Sequence, residues 1–126
     1  MRPPRLPLPL LAAAAGALAL TGCARTAAER GDAVETCIER AGLSALALDY
    51  RLEPKTIVEV TRERGADDEI ARVYLFEDAE AARLEFDYEE DRDRPLTRRG
   101  PVVLEAPMDL RERPALERCA ADAAKD

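Results

Sequence analysis

The sequence predicts an α+β fold, a small antiparallel sheet of three to five strands with helices packed on one face. Two observations support this class. Apolar residues recur every three or four positions over residues 33–41 and 114–123, as on helices, whereas the chain between them holds short runs typical of strands. A chain of 126 residues accommodates one domain of this kind. The predicted order of elements is α-β-β-α-β-α.

The first and last helices are predicted from capping patterns and apolar stripes. Asp32 and Glu35 form a D-x-x-E pattern before a helix over residues 33–41, and Gly42 supplies its stop. Pro114 suits the first position of the last helix. The two stripes consist of Val34, Cys37, Ile38 and Ala41, and of Leu116, Cys119, Ala120 and Ala123.

Strand-like segments lie between these helices. Residues 46–52 alternate between apolar and small or polar side chains, which indicates an additional short strand. Residues 56–76 predict a two-stranded hairpin, and the charged stretch RERGADDE at 62–69 is its connection. Because residues 70–76 are apolar on both faces, we expect this strand at the centre of the sheet.

The chain after the hairpin changes its period. Residues 77–91 predict a third helix, since apolar residues recur there at three and four positions, and Pro95 ends it. A turn at Gly100 then precedes a short apolar strand over residues 102–106. Residues 96–99 offer one further short strand.

The composition restricts the chemistry that this chain can perform. It contains 19 Lys+Arg and 26 Asp+Glu, no His, no Trp, no Asn or Gln, and a single serine, Ser44. Without His there is no Ser-His-Asp machinery, no histidine general base and no imidazole metal ligand. A net charge of −7 with five aromatic residues disfavours nucleic-acid binding. We therefore expect no enzymatic activity, no cofactor and no nucleic-acid partner.

The first 22 residues differ in kind from the rest of the chain. Arg2 and Arg5 are their only charges, and the run from Leu6 to Leu20 has no polar side chain. A charged segment followed by an apolar one is typical of an export signal. As a helix this run would span about 22 Å, against about 30 Å of hydrocarbon, so a permanent transmembrane helix is disfavoured.

The end of this segment reads L-T-G-C, from Leu20 to Cys23, and resembles the bacterial lipobox. The resemblance implies that Cys23 receives a diacylglyceryl group with fatty acids such as palmitate, and that a dedicated peptidase cleaves before it. It implies a signal over residues 1–22 and a lipidated tether over 23–32, which leaves one α+β domain over 33–126. The lipid would hold this domain on the extracytoplasmic face of the cell membrane. Two alternatives stay open: an ordinary signal cleavage with Cys23 as a bystander, and an uncleaved anchor.

The whole pattern, a lipobox followed by a small α+β domain flanked by cysteines, is similar to small exported lipoproteins of high-GC actinobacteria. The content of 17 Arg against 2 Lys suits a GC-rich coding sequence. This similarity carries no active-site residues that could be transferred to the chain.

Cys37 and Cys119 remain once Cys23 is lipidated. An even number of cysteines in an exported protein predicts a disulfide, which would join the first helix to the last. A redox-active or metal-binding pair is the alternative, but these residues lack the close C-x-x-C spacing.

Several other residues resemble functional sites, but each has a plainer interpretation. The acidic stretch 85–93 lacks the glycine and spacing of a calcium loop and indicates a solvated helix end, as residues 67–69 indicate a hairpin tip, so no metal site is predicted. Ser44 lies outside a nucleophile motif, and Arg98-Arg99-Gly100 is interpreted as surface charge rather than an anion-binding turn. Four aromatic residues are expected in the core: Tyr74, Phe76, Phe86 and Tyr88.

These observations favour a membrane-anchored binding or protein-interaction module at the cell envelope. Its partners would be the membrane, through lipid on Cys23, and an envelope component of unknown identity. Two further hypotheses remain: a carboxylate-dependent hydrolase of envelope polymers, and a structural or accessory subunit of an envelope complex.

Overall fold

The computed structural model of the chain describes residues 25–86 and 94–126, which form three helices and a five-stranded antiparallel sheet. The α+β class and the sheet of three to five strands are thereby confirmed. In chain order the elements are α1 (Ala27–Arg40), β1 (Ser44–Asp49), β2 (Thr56–Thr61), β3 (Glu69–Leu75), α2 (Ala79–Phe86), β4 (Leu96–Arg99), β5 (Val102–Glu105) and α3 (Arg113–Ala124).

Helix α1 begins earlier than the sequence predicted. Thr26 is its N-cap: the Thr26 hydroxyl accepts a hydrogen bond from the Glu29 backbone N–H, and the Glu29 carboxylate accepts one from the Thr26 N–H, each at 3.1 Å. This capping box satisfies two backbone donors, so the helix starts there and Asp32 and Glu35 lie inside it. The predicted start at residue 33 is wrong, and residues 27–32 belong to the folded domain rather than to a tether.

The strands follow the order β1-β2-β3-β5-β4, and every neighbouring pair is antiparallel. The predicted hairpin is confirmed, since Thr56 pairs with Leu75 and Thr61 with Glu69. Strand β3 is central, as its apolar sequence required. The two additional strands suggested by residues 46–52 and 96–99 form the edges of the sheet as β1 and β4.

Helices α1 and α3 pack on one face of the sheet, which we call the first face, and cover the main core. The largest side chains of this core are fully buried: Ile38, Leu75, Leu104, Leu116, Val34, Val58, Val60, Val73 and Val102. Helix α1 approaches the sheet most closely at Gly31, where a Cβ atom would lie 2.8 Å from the Thr56 Cγ2. Glycine thus lets helix and sheet meet at this point.

Helix α2 contributes to a smaller core on the opposite, second face. There Ala82 clusters with Tyr74, Phe76 and Val103. The predicted packing on one face is correct for the two terminal helices. Helix α2 instead covers the second face near β4 and β5. It can do so because β3 and β5 are apolar on both sides. Burial of Tyr74 and Phe76 confirms two of the predicted core aromatics. Tyr88 and the Phe86 side chain lie outside the described residues.

A disulfide joins Cys37 of α1 to Cys119 of α3, with 5.6 Å between their Cα atoms. The predicted connection of the first helix to the last is therefore confirmed. The bond bridges 82 positions of the chain and closes almost the whole domain into one loop.

A buried arginine completes the contact between the two terminal helices. The Arg30 Nη1 donates to the carbonyl oxygens of Ala123 at 2.6 Å and Lys125 at 2.9 Å, and its Nη2 contacts the Asp126 carboxylate at 2.8 Å. The last carbonyls of a helix have no partner within the helix, and Arg30 supplies donors for them. Arg30 is only 4% exposed, so this charge is a structural part of the domain.

A second buried arginine, Arg113, fixes the start of α3. Its guanidinium donates to the Ala106 carbonyl, to the Thr97 hydroxyl at 2.7 Å and to the Glu117 carboxylate at 2.9 Å. It thereby ties α3 to the edge strand β4 and to the end of β5. Because charged residues are mostly exposed, nothing in the sequence indicates that either arginine lies in the interior.

The domain has two distinct ends, defined by the ends of its strands. We call proximal the end that holds Thr26, the β1–β2 connection at residues 50–55 and the end of α3. We call distal the opposite end, which holds the α1–β1 turn at residues 41–43 and the β2–β3 connection at 62–68. Because α1 runs from one end to the other, these ends are separated by the length of that helix.

None of the helices within residues 25–86 and 94–126 combines the length and the apolar character needed to cross a bilayer.

Candidate functional site

A groove of about 540 Å³ lies at the distal end, beside the free edge of β1. Its walls are the second half of α1, the first half of β1, the end of β2 and the β2–β3 connection. Carboxylates dominate the lining, and Arg64 is the one cation that the described residues contribute to it. The carboxylates are those of Glu35, Glu39, Glu59, Asp67 and Glu69. This volume falls within the range of small-molecule pockets.

Helical spacing and a short turn build the first wall. Glu35 and Glu39 are four residues apart and therefore lie on the same side of α1. The chain turns within three residues, with Gly42 at a φ of 89°, so the end of α1 lies beside the start of β1. The Glu35 carboxylate then accepts a hydrogen bond from the Ala47 backbone N–H at 3.1 Å. Glu35 thus covers one donor of the exposed sheet edge.

The floor of the groove continues into ion pairs on the second face of the sheet. Glu59 in β2 lies directly opposite Arg72 in β3, and their side chains approach to 3.8 Å. Arg72 also contacts Glu69 at 2.6 Å. Glu69, predicted at a solvated hairpin tip, is instead the first residue of β3, and its side chain is only 17% exposed.

Arg94 extends this set of ion pairs across the sheet. It contacts the Glu69 carboxylate at 3.1 Å, donates to the Glu69 carbonyl at 3.0 Å, and lies 4.0 Å from the Glu105 carboxylate. We call the five residues Glu59, Glu69, Arg72, Arg94 and Glu105 the charge cluster. It has three carboxylates and two guanidinium groups, which leaves one net negative charge when all are ionised. The residues come from four separate segments, so no local pattern in the sequence predicts the charge cluster.

Close packing within the charge cluster raises the pKa values of Glu59 and Arg72. A hydrogen bond with Glu69, burial and the Glu69 charge raise the pKa of Glu59, and Arg72 opposes this only in part. Hydrogen bonds to Glu69 and Tyr74 raise the pKa of Arg72, so the guanidinium stays protonated. Glu59 therefore binds a proton more readily than an isolated glutamate does.

The other residues considered in the sequence, for which no site is predicted, are not brought together. Ser44 lines the groove at the start of β1, whereas Arg98 and Arg99 are exposed at the end of β4. The acidic stretch is described only as far as residue 86, and its residues 87–93 lie outside the described chain. Among the described residues, no group of three or more potential ligands is arranged to hold a metal ion.

Cys23, the predicted lipid attachment, also lies outside the described residues. Along the chain, Cys23 precedes the folded domain by only three residues, since Thr26 is the N-cap of α1. The predicted tether of residues 23–32 is shortened accordingly.

The groove is suited to positively charged groups. Its carboxylates attract cations, and Leu46, which is 56% exposed at the rim, can contact an aliphatic stem such as that of a lysine side chain. Comparison of the chain with protein-family models, with curated proteins and with solved structures finds no match.

Proposed function

We propose that this protein is an exported lipoprotein, held by lipid on Cys23 at the extracytoplasmic face of the cell membrane. Its domain acts there as a binding module for a positively charged partner in the envelope. One observation carries the proposal: the L-T-G-C segment ends three residues before the proximal end of the domain, and the carboxylate groove lies at the distal end.

The cysteines support export and lipidation. Disulfides form and persist in oxidising compartments, and Cys37 and Cys119 are bonded to each other. Cys23 is the remaining cysteine, and it occupies the position that is lipidated in the lipobox. Because one acyl chain gives only marginal membrane binding, the two chains of a diacylglyceryl group suit stable attachment.

A short tether determines the orientation of the domain. Three residues from Cys23 to Thr26 reach at most about 11 Å when fully extended. Helix α1 rises about 1.5 Å per residue, so Glu39 lies about 20 Å from Thr26 along the helix axis. The proximal end therefore stays at the membrane, and the groove opens toward the envelope.

Charge favours a cationic partner. Removal of the signal takes away Arg2 and Arg5, which leaves 17 Lys+Arg against 26 Asp+Glu and a net charge of −9. A negative domain with a negative groove attracts basic groups and accelerates their encounter. The same charge repels anionic lipid, so the attachment depends on the acyl chains.

Lipidation is tested by replacing Cys23 with alanine in cells supplied with a labelled fatty acid. We expect the Cys23→Ala variant to lose the label and membrane retention, because no acyl chain remains to be buried. The control is Met108→Ala, a substitution at an exposed position of the domain, which should keep the label. Unchanged labelling and membrane retention of Cys23→Ala would refute the anchor.

Binding at the groove is tested by titration of the lipidated protein in vesicles of neutral lipid with a short oligolysine peptide. We expect Glu39→Lys to weaken binding by about fivefold or more, since it places a cation in the groove. Asp109→Lys is the control, because Asp109 is exposed outside the groove and the change in net charge is identical. Equal weakening by both variants would show that overall charge, and not the groove, attracts the peptide.

A carboxylate-dependent hydrolase is the second candidate, and the raised pKa of Glu59 inside a groove favours it. The distance between Glu59 and Glu69 fits glycoside hydrolysis less well. The two catalytic carboxyl groups of glycosidases stand about 5 to 9.5 Å apart. Glu59 and Glu69 are within hydrogen-bond reach of each other, and Glu69 is bound to two guanidinium groups. Release of fragments from envelope polymers, abolished by Glu59→Gln, would establish this alternative.

An accessory subunit that assembles by strand addition at β1 is less favoured. Such a contact needs free backbone groups along the edge, and the Glu35 carboxylate already occupies the Ala47 N–H.

A further inference from the structure

We infer that the β1–β2 connection contacts the lipid bilayer, through Leu52 and Tyr50 at the proximal end of the domain. This inference rests on the proposed lipid anchor and adds a second membrane contact made by the folded domain itself. Leu52 is 81% exposed and Tyr50 is 49% exposed. Single exposed apolar residues are common, so exposure alone does not indicate a membrane contact. The position of Leu52 and Tyr50 on the molecule does.

The connection is held in a defined shape. The Tyr50 backbone N–H donates to the Lys55 carbonyl at 2.7 Å, and the Lys55 ammonium donates to the Arg51 carbonyl at 2.6 Å. The Glu53 carboxylate accepts the Glu77 backbone N–H at 3.2 Å, which ties the connection to the end of β3. Leu52 is therefore presented outward from a closed loop that is fastened at its base.

This loop lies at the end of the domain where the tether enters. Asp49 pairs with Thr56 at the base of the loop, and Thr56 packs against Gly31 in the second turn of α1. The tether from Cys23 joins the same helix one turn earlier, at Thr26. A lipidated Cys23 thus brings the start of α1 and the β1–β2 connection to the same surface.

The distances fit contact with the membrane interface. The headgroup region is about 5 to 8 Å thick on each side of the hydrocarbon, and the tether reaches at most about 11 Å. With an anchor this short, side chains that project from the proximal end meet the headgroups. Tyrosine and leucine next to a cation are suited to this layer, and Arg51 is exposed between Tyr50 and Leu52.

A bilayer is the occupant that these observations favour over a protein partner. The segment that precedes the described residues ends at this surface, and its proposed lipid requires a bilayer there. The one carboxylate within the loop, Glu53, is already engaged in the domain, where it accepts the Glu77 N–H. Contact at Leu52 would fix the domain upright, with the groove pointing away from the lipid.

The test uses the absence of tryptophan from the chain. Leu52→Trp places a single fluorophore at the tip of the loop, and Met108→Trp places one at the distal end, where Met108 is 69% exposed. Both lipidated variants are reconstituted in phosphatidylcholine vesicles with and without brominated acyl chains. We expect blue-shifted emission and loss of about half of it to the brominated lipid for Leu52→Trp, since interfacial side chains lie about 5 to 10 Å deep. Met108→Trp should show neither effect.

Flotation of the vesicles separates the two possible failures. If the protein floats with the vesicles but Leu52→Trp is quenched no more than Met108→Trp, the loop does not touch the bilayer and the inference is wrong. If the protein does not float, the lipid anchor fails and the inference fails with it. Tyr50→Trp is the replacement probe, judged by the same comparison, if Leu52→Trp does not fold.

Discussion

Loss of the Cys37–Cys119 disulfide is expected to lower the free energy of unfolding by about 4 to 5 kcal/mol, as the chain-entropy model gives for this loop. The bond closes a loop of 82 positions, and cutting it restores that freedom to the unfolded chain. The whole stability of a small domain is about 5 to 15 kcal/mol, so the reduced protein should be near the limit of folding. Urea denaturation of the oxidised and reduced forms measures the difference.

One double variant and the reduced native chain together separate the effect of the bond from the packing of its sulfur atoms. Cys119 is 2% exposed, so Cys37→Ala/Cys119→Ala also removes buried volume, whereas reduction of the native chain removes the bond alone. The Cys23→Ala variant is the control and should keep the native midpoint in urea. Identical midpoints for the oxidised and reduced native protein would contradict the expected role of the disulfide.

Replacement of Arg30 by methionine is expected to cost about 2 to 4 kcal/mol of stability, the range for losing charge-assisted hydrogen bonds at a buried position. Methionine keeps most of the aliphatic volume but cannot donate to the carbonyls of Ala123 and Lys125 or pair with Asp126. The end of α3 would then lack these partners. Thermal and urea unfolding of the oxidised protein measure the loss.

Arg40→Met is the matched control on the same helix. Arg40 is exposed in the last turn of α1, where such a substitution changes stability by about 0.5 kcal/mol or less. Equal losses from the two variants would indicate a general effect of removing positive charge, and the specific contribution of Arg30 to the α1–α3 contact would then be refuted.

The start of α1 shows why local patterns alone were insufficient. The sequence holds two similar capping patterns, Thr26 with Glu29 and Asp32 with Glu35, and each can begin a helix. Burial of Ala27 and Arg30 against the rest of the domain decides between them. The additional turn and a half of helix is stabilised only when α3 packs beside it. The sequence of α1 holds no information about that contact.

The candidate site was predicted only in part. The sequence places Asp67 and Glu69 at a solvated hairpin tip, and nothing in it distinguishes Glu59 from the other carboxylates. Their meeting with Arg72 and Arg94 depends on the register of β2 against β3 and on the path of the chain before β4. Pairing between strands brings residues that are distant in sequence to within 4 Å of each other. The periodicity of a single segment does not encode this proximity.

By itself the sequence determined the α+β class, the central hairpin, the two terminal helices and the pairing of Cys37 with Cys119. The first three features follow from hydrophobic period and turn residues, which act over short stretches, whereas the cysteine pairing was predicted on the condition, implied by the lipobox resemblance, that Cys23 carries lipid. Only the tertiary structure decided the burial of Arg30 and Arg113, the covering of the second face by α2 and the assembly of the groove. Each of these depends on partners brought together from distant segments, because burial and charge pairing are properties of the folded arrangement and not of any one segment.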